Sequence, residues 1–286
     1  MKKLHLSSVI TFILLFFSSI IANATHIAGG EITYKYLGNN GLQFRVIYTF
    51  YRDCAGVAAP GTVTIVTSSA TAGSSFNTTA NQVSGPVQVV PVCATATTTC
   101  NGGTTDGRQQ FIYQADITLP SHNSDWVFSV SLSNRNNAIT TINPTTVAMY
   151  VEATLNNIMF PFNNSSSFAD MPGAFIYVNQ PYCYNNGAVD IDGDSLVYTM
   201  ITPMTGPGAT VTYITPHSAT QPVISNPPVT FNSATGDVCM TPTAIEVTVM
   251  AVRVDEYRYG TKIGSVIRDI QLTSLPGSDN LPTLDG

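Results

Sequence analysis

Apolar and polar residues alternate along much of this chain, and this two-residue period limits what the chain can fold into. Apolar residues occupy the even positions from 42 to 50 and the odd positions from 111 to 119. The same alternation runs through 126–132 and 147–155. Because successive side chains of a β-strand point to opposite faces, each segment predicts a strand with one buried face. No amphipathic helix stands out beyond the first 24 residues, so we predict an all-β protein.

The second half of the chain carries the same strand pattern in shorter segments. Its strand candidates are 196–200, 210–214, 229–231, 245–254 and 263–272. The residues between the last two should form a hairpin turn in which Gly260 takes a positive φ. Short strands with frequent turns are typical of an Ig-like β-sandwich.

Turn-forming residues in the middle of the chain suggest a division into two domains. The segment from Pro161 to Ser167 is rich in Asn and Ser and predicts a linker at 158–172. At about 100–200 residues per domain, the length also favours two domains. The expected organisation is a β-sandwich at 25–157, an Ig-like or cadherin-like β-sandwich at 173–273 and a polar tail at 274–286.

The N-terminal 24 residues have the three parts of a secretory signal peptide. Lys2 and Lys3 precede an apolar run from Val9 to Ile21, and Ala22-Asn23-Ala24 supplies small residues for cleavage. A membrane anchor is the alternative, but the run is shorter than the roughly 20 apolar residues that cross a bilayer. No later segment is apolar for long enough to span a membrane. We therefore predict a secreted, extracellular or cell-surface protein.

Charge and composition exclude two classes of protein. The chain has 17 Asp and Glu against 11 Lys and Arg. Nucleic-acid affinity comes from neutralising phosphates, so an acidic chain with few basic residues is not expected to bind nucleic acid. The hydrophobic fraction of 44% and aromatic fraction of 9% are also too high for a disordered chain.

Export to an oxidising compartment would allow disulfides among the five cysteines. The sequence alone does not fix the pairing. Cys93 and Cys100 enclose a short loop and would form a local bridge, while Cys183 and Cys239 could join strands of the second half. Cys54 would then be the odd one. Free buried thiols are the alternative, and zinc is disfavoured because no second Cys or His pair has ligand spacing.

One segment carries a pattern typical of metal binding. Asp190, Asp192 and Asp194 place three carboxylates at alternating positions, and Gly193 lets the backbone bend so that they converge. Clustered carboxylates require a counter-ion, and calcium is the usual hard cation outside the cell. An EF-hand is excluded because the glycine is fourth and Ile201 stands at the twelfth position. The alternative is a solvated acidic turn. Further ligand candidates are Asn185, Asp255 and Glu256.

A second charged group lies on the predicted C-terminal hairpin. Cross-strand pairing on a solvent-facing surface is the simplest interpretation of this group. Its members are Arg253, Asp255, Glu256, Arg258, Arg268 and Asp269.

No enzyme motif is found in the sequence. It has no Gly-x-Ser-x-Gly elbow, no His-Glu-x-x-His and no Gly-x-x-x-x-Gly-Lys phosphate loop. We name no catalytic residue and predict a protein that is not an enzyme, although the paired carboxylates of a glycosidase can lie anywhere in a sequence. Trp126 shares a strand face with Phe128, so it is expected in the core rather than as a sugar-stacking surface.

Several stretches together resemble the N-terminal region of large surface proteins of gliding bacteria. Such proteins are described as gliding-motility-associated and contain PKD-like, Ig-like or cadherin-like modules. The stretches are Thr25–Ile32, Tyr51–Cys54, Arg135–Thr140, Asp190–Leu196, Ala251–Arg258 and Ile263–Ile270.

The resemblance implies export through the Sec machinery, often followed by type IX secretion, and an adhesin-like role. Cadherin-like modules of this type use an aspartate-rich turn for calcium, which resembles Asp190, Asp192 and Asp194. Members usually continue into repeats and a C-terminal sorting domain, which leaves surface anchoring open here.

The sequence therefore predicts a non-catalytic binding or adhesion module with structural calcium. Its partner would be a cell-surface protein or a glycan. The alternative is a carbohydrate-binding accessory domain of a secreted polysaccharide-degrading system, with an exposed aromatic row on one sheet face.

Overall fold

The fold is all-β in the computed structural model, which describes residues 27–89, 97–173 and 175–277. Within those ranges the only helical element is a 3₁₀ turn at Thr99–Asn101. The strands are β1 Ile27–Gly38, β2 Gln43–Asp53, β3 Thr62–Ser69, β4 Ser74–Gln88, β5 Arg108–Thr118, β6 Trp126–Leu132, β7 Met149–Leu155, β8 Ser167–Phe168, β9 Phe175–Tyr177, β10 Tyr182–Asn185, β11 Ala188–Val189, β12 Ser195–Ile201, β13 Met204–Gly206, β14 Ala209–Thr210, β15 Thr230–Phe231, β16 Asp237–Met240, β17 Val247–Arg258 and β18 Thr261–Leu275.

The four alternating segments of the first half form strands β2, β5, β6 and β7, which confirms the period-two prediction. Their apolar faces are buried, and Trp126 lies in the core as expected. In the second half the segment 210–214 is wrong as a full strand. Only its first residue is in β14, because Val211 and Ile214 donate their amides to loop carbonyls of Pro203 and Thr141.

Thirteen strands join in one sheet, which is antiparallel except where β9 pairs with β18. The long strand β18 joins the parts of this sheet, because it pairs with β17, β1, β7 and β9. Strand β17 lies along one edge, while on the other edge Val266 pairs with Ala153 of β7 and Ile270 pairs with Gly29 of β1. A Cβ at Gly29 would collide with the backbone of β18, so this close pairing requires glycine. The pairings return to β18 through β1, β2, β5, β4, β3, β6 and β7.

The strands on both sides of the predicted linker thus share one sheet. They also share one core, since buried residues from β1 and β6 belong to the same hydrophobic cluster as buried residues from β17 and β18. This sharing departs from the expectation of separate sandwiches at 25–157 and 173–273. The physical reason is that β18 is buried along most of its length and needs partners from both halves.

The segment predicted as a linker at 158–172 packs against strand β1 instead of standing apart. Asn163, Ser165 and Ser166 are buried. The Ser165 amide donates to the carbonyl of Tyr34 (3.0 Å), and the Tyr34 amide donates to Ser165 Oγ (2.8 Å). The short polar side chains of this segment therefore satisfy buried backbone groups of β1, which a solvated linker would not do.

The charges of the C-terminal hairpin are mostly buried, so the expectation that they face solvent is wrong. Asp269 is paired with Arg135 of an earlier loop (2.6 Å). Arg268 pairs with Glu31 of β1 and lies 3.9 Å above the ring of Phe168. Buried charges are rarely tolerated without partners. The partners of Arg268 and Asp269 come from outside the hairpin, whereas buried Asp255 pairs across it with Lys262 (2.6 Å).

Two disulfides form among the described cysteines. Cys183 of β10 is bonded to Cys239 of β16, the pairing considered from the sequence. Cys100 is bonded to Cys54, so the predicted bridge from Cys100 to Cys93 and the assignment of Cys54 as the odd cysteine are wrong. The amide of Cys54 donates to the carbonyl of Gly107, which holds the end of β2 beside the loop that carries Cys100.

Some predicted features lie outside the described residues. They are the signal peptide at 1–24, Cys93 and positions 278–286 of the predicted tail. The beginning of that tail is described, and Ser274 and Leu275 belong to β18. Over 27–89, 97–173 and 175–277, no helix is both long enough and apolar enough to cross a bilayer.

Candidate functional site

The aspartate turn, residues 190–194, connects β11 to β12. Asp190 organises it, because Oδ1 of Asp190 accepts the amides of Asp192 (2.9 Å) and Asp194 (3.0 Å). Aspartate side chains commonly fold the following backbone in this way. Gly193 has a φ of 81°, a conformation that glycine adopts without steric cost. The hydrogen bonds to Asp190 and the conformation of Gly193 therefore close the turn, so that its carboxylates point toward one another.

The three carboxylates converge as the sequence predicted. One oxygen from each of Asp190, Asp192 and Asp194 lies within 4.8 Å of the others, the only such group of metal-ligating side chains in the described part of the chain. Burial raises the pKa of Asp190, and repulsion from Asp194 and Asp192 raises it further. Oδ2 of Asp190 is buried and has no hydrogen-bond partner. The carboxyl of Asp190 therefore lacks a compensating positive group.

Arg258, at the end of β17, is the main counter-charge of the turn. Its Nε and Nη2 donate to the two oxygens of Asp194 (2.6 and 2.7 Å), and Nη2 also reaches Asp192 (3.3 Å). These bonds to Asp194 raise the pKa of Arg258. A bidentate arginine–carboxylate pair is strong and geometrically specific. One guanidinium balances one of three carboxylates, so the turn keeps an excess of negative charge.

Two asparagines of the 158–172 segment complete the surroundings of the turn. Asn164 donates its backbone amide and its side-chain amide to the two oxygens of Asp192 (2.7 and 2.9 Å). Oδ1 of Asn163 accepts from Nη2 of Arg258 (2.8 Å). No sequence pattern indicates these contacts, because Asn164 and Arg258 are 28 and 64 residues from their aspartate partners.

A buried carboxyl lies behind the turn. Glu256 is 0% exposed and accepts hydrogen bonds from the amide (2.6 Å) and hydroxyl (2.8 Å) of Ser166 and from Asn163 (3.2 Å). Burial raises its pKa to about 7, despite the opposing effect of these hydrogen bonds, and Asp190 adds repulsion. Glu256 is therefore coupled to the turn by charge, without belonging to the group of converging oxygens.

The other two ligand candidates are not brought to the turn. Asn185 donates to Asp237 (2.7 Å). Asp255 pairs with Arg253 (2.9 Å) and Lys262 (2.6 Å). Adjacent residues of a strand face opposite sides, so Asp255 and Glu256 could not both have faced the turn.

The donor set is suited to a hard cation. Carboxylate oxygens are the ligands that calcium and magnesium prefer, and the unpartnered oxygen of Asp190 is the atom that such an ion would satisfy. The three aspartates could therefore hold a metal ion, with Arg258 competing for the oxygens of Asp194. No protein-family model, curated protein or solved structure matches this chain.

Proposed function

We propose that this protein is an exported, non-catalytic adhesion or binding module, and that calcium stabilises its aspartate turn. The observation that carries the proposal is the convergence of Asp190, Asp192 and Asp194 at a partly exposed turn. Loops held on a rigid β scaffold are where binding residues are concentrated in many proteins. The turn is anchored to such a scaffold by β12 and by Arg258 of β17.

Calcium is the cation that the proposal assigns to the turn. Its preference for carboxylate oxygens matches the donor atoms, and it is the common structural cation outside cells. A bound cation would stabilise the ionised form of Asp190 and hold the three carboxylates together. Asn164 would orient Asp192 through its two hydrogen bonds, so the site would be built from both the turn and the 158–172 segment.

A binding role is supported over catalysis by how the buried charges are used. Arg268 pairs with Glu31, Arg135 with Asp269 and Arg108 with Asp53. The first and third pairs link directly opposed residues of neighbouring strands, and the second links a loop to β18, which is a structural use of charge. These three buried pairs therefore hold the sheet and its covering segments together.

Export is part of the proposal. The N-terminal sequence pattern and the two disulfides are compatible with an extracellular or cell-surface location. The gliding-motility and type IX association rests on the sequence resemblance alone. Trp126 is buried, so the aromatic row expected for a carbohydrate-binding accessory domain does not include it.

An adhesion assay tests the proposed function. Beads coated with residues 25–286, disulfides intact, are washed over surface-grown bacterial cells in buffer with calcium or with EDTA. The proposal predicts retention in calcium and reduced retention in EDTA, because the loops near the turn lose their support. Beads coated with reduced, unfolded protein are the control. Retention no greater than this control in either buffer would overturn the proposal.

A further inference from the structure

The tip of the β17–β18 hairpin carries a residue that the turn does not favour. Arg258 pairs with Thr261, so Tyr259 and Gly260 form a two-residue turn with φ values of 50° and 79°. Turns with two positive φ values favour Asn-Gly, and a bulky side chain at positive φ is strained. Tyr259 is also 94% exposed, so packing does not compensate for the strain. Strained residues of this kind cluster at functional sites.

Tyr259 lines a pocket of about 520 Å³ beside the aspartate turn. Phe162 lines it as well and is 53% exposed, with its ring 5.3 Å from that of Tyr36. Asp192, Ser195 and Arg258 contribute polar groups to the same pocket. The volume lies in the range of about 300–1,000 Å³ that is typical of small-ligand sites. The pocket is open and its lining is more polar than apolar, with Phe162, Tyr257 and Tyr259 as its aromatic members.

We infer that the pocket formed by Tyr259, Phe162 and the aspartate turn binds a neutral saccharide. The rings of Tyr259 and Phe162 would pack against the apolar C–H face of a sugar ring. Carboxylate oxygens of Asp192 would accept hydrogen bonds from sugar hydroxyls, and the Ser195 hydroxyl can donate or accept. The inference rests on the proposed binding function and names the ligand class of that site.

The charges of the pocket select against other ligands. With calcium bound as proposed above, the three carboxylates face one guanidinium and one divalent cation, so their charges cancel and the pocket offers no net attraction to an acidic sugar. The same balance leaves no net negative charge to hold a cationic peptide side chain. A hydroxyl-rich ligand without charge depends on neither attraction.

The experiment uses residues 25–286 with intact disulfides on a printed array of neutral, amino-substituted, uronic-acid and sulfated oligosaccharides, in calcium. Calorimetry with the strongest neutral hit then compares three proteins. Tyr259→Asn should weaken binding at least about tenfold, because it removes an aromatic contact surface. The same variant should melt at the same or a higher temperature, because Asn tolerates positive φ. Tyr177→Asn removes an exposed tyrosine of β9, outside the pocket, and should bind as the unchanged protein does.

Weaker saccharide binding by Tyr259→Asn with no fall in its melting temperature would support the inference. Hits confined to acidic glycans, an array without hits, or equal loss in the Tyr177 and Tyr259 variants would overturn it. Hits confined to amino-substituted glycans would also overturn it. If the array fails while the coated beads still adhere to cells, only the saccharide assignment falls; if both fail, the proposed function falls as well.

Discussion

Glu256 is expected to make the protein less stable as the pH rises from about 4.5 to 7. Its side chain is fully buried, and the hydrogen bonds from Ser166 and Asn163 only partly offset the loss of water. In this pH window the folded protein retains a proton that the unfolded chain releases. Because the folded state then binds more protons, the free energy of unfolding falls as the pH rises.

The size of the effect follows from the two pKa values. A change from 4.5 in an exposed side chain to about 7 in the folded protein corresponds to about 3 kcal/mol, at about 1.4 kcal/mol per pH unit. The contribution is fully present below the unfolded pKa and is lost by the time the pH passes the folded pKa. Asp190 acts in the same direction, while Asp125, whose pKa is lowered to about 2, loses its contribution only at lower pH.

Urea denaturation of the mature protein and of Glu256→Gln, at pH 5, 6, 7 and 8 in EDTA, isolates this contribution. The variant keeps the side-chain volume but cannot ionise. The free energy of unfolding of the unchanged protein should fall relative to that of the variant by about 2.5 kcal/mol between pH 5 and 8, since pH 5 already lies above the unfolded pKa. Glu152→Gln, at a less buried glutamate of β7, should follow the unchanged protein. Parallel curves for all three proteins would refute the reasoning.

Three further changes test the packing. Arg268→Met should lower the free energy of unfolding by about 3–5 kcal/mol in urea, because it leaves a buried carboxylate unpaired; a loss below about 1 kcal/mol would contradict this. Gly264→Ala places a Cβ 2.7 Å from a buried carboxylate oxygen and should destabilise by about 1–3 kcal/mol, whereas Gly206→Ala meets no atom; equal melting temperatures would contradict the packing argument. Replacing Cys183 and Cys239 by serine opens a loop with a sequence separation of 56 and should cost about 4 kcal/mol, and an unchanged urea midpoint would be the contrary result.

Strands with a clear apolar face could be predicted from the sequence, and others could not. In β2 the alternate buried positions from Phe44 to Phe50 are all apolar, and so are those of β5 from Phe111 to Ile117. In β3 the inner positions include Thr67 and Ser69, which are buried but polar, so the hydrophobic alternation is weak. Strand β1 was missed as a strand because the glycines Gly29 and Gly30 interrupt its pattern.

The joining of the two halves could not be predicted for a related reason. Charged residues on a predicted hairpin indicate a solvent-facing surface, yet Arg268 and Asp269 lie inside and pair with Glu31 and Arg135. Their partners are 237 and 134 residues away in the sequence. No local sequence pattern predicts such contacts, so the shared sheet can be recognised only from the structure.

The candidate site was partly predictable. The spacing of Asp190, Asp192 and Asp194 around Gly193 predicts their convergence, because the turn is closed by local hydrogen bonds. Its counter-charge could not be predicted, since Arg258 reaches the turn through the pairing of β12 with β17.

Calorimetric titration with calcium chloride tests the cation site most directly. Residues 25–286, stripped of metal, should bind calcium saturably at one ion per chain. Asp190→Asn should abolish this binding, whereas Asp116→Asn, at an exposed aspartate that pairs with Arg45, should leave it unchanged. No heat from the unchanged protein, or equal binding by Asp190→Asn, would contradict the account.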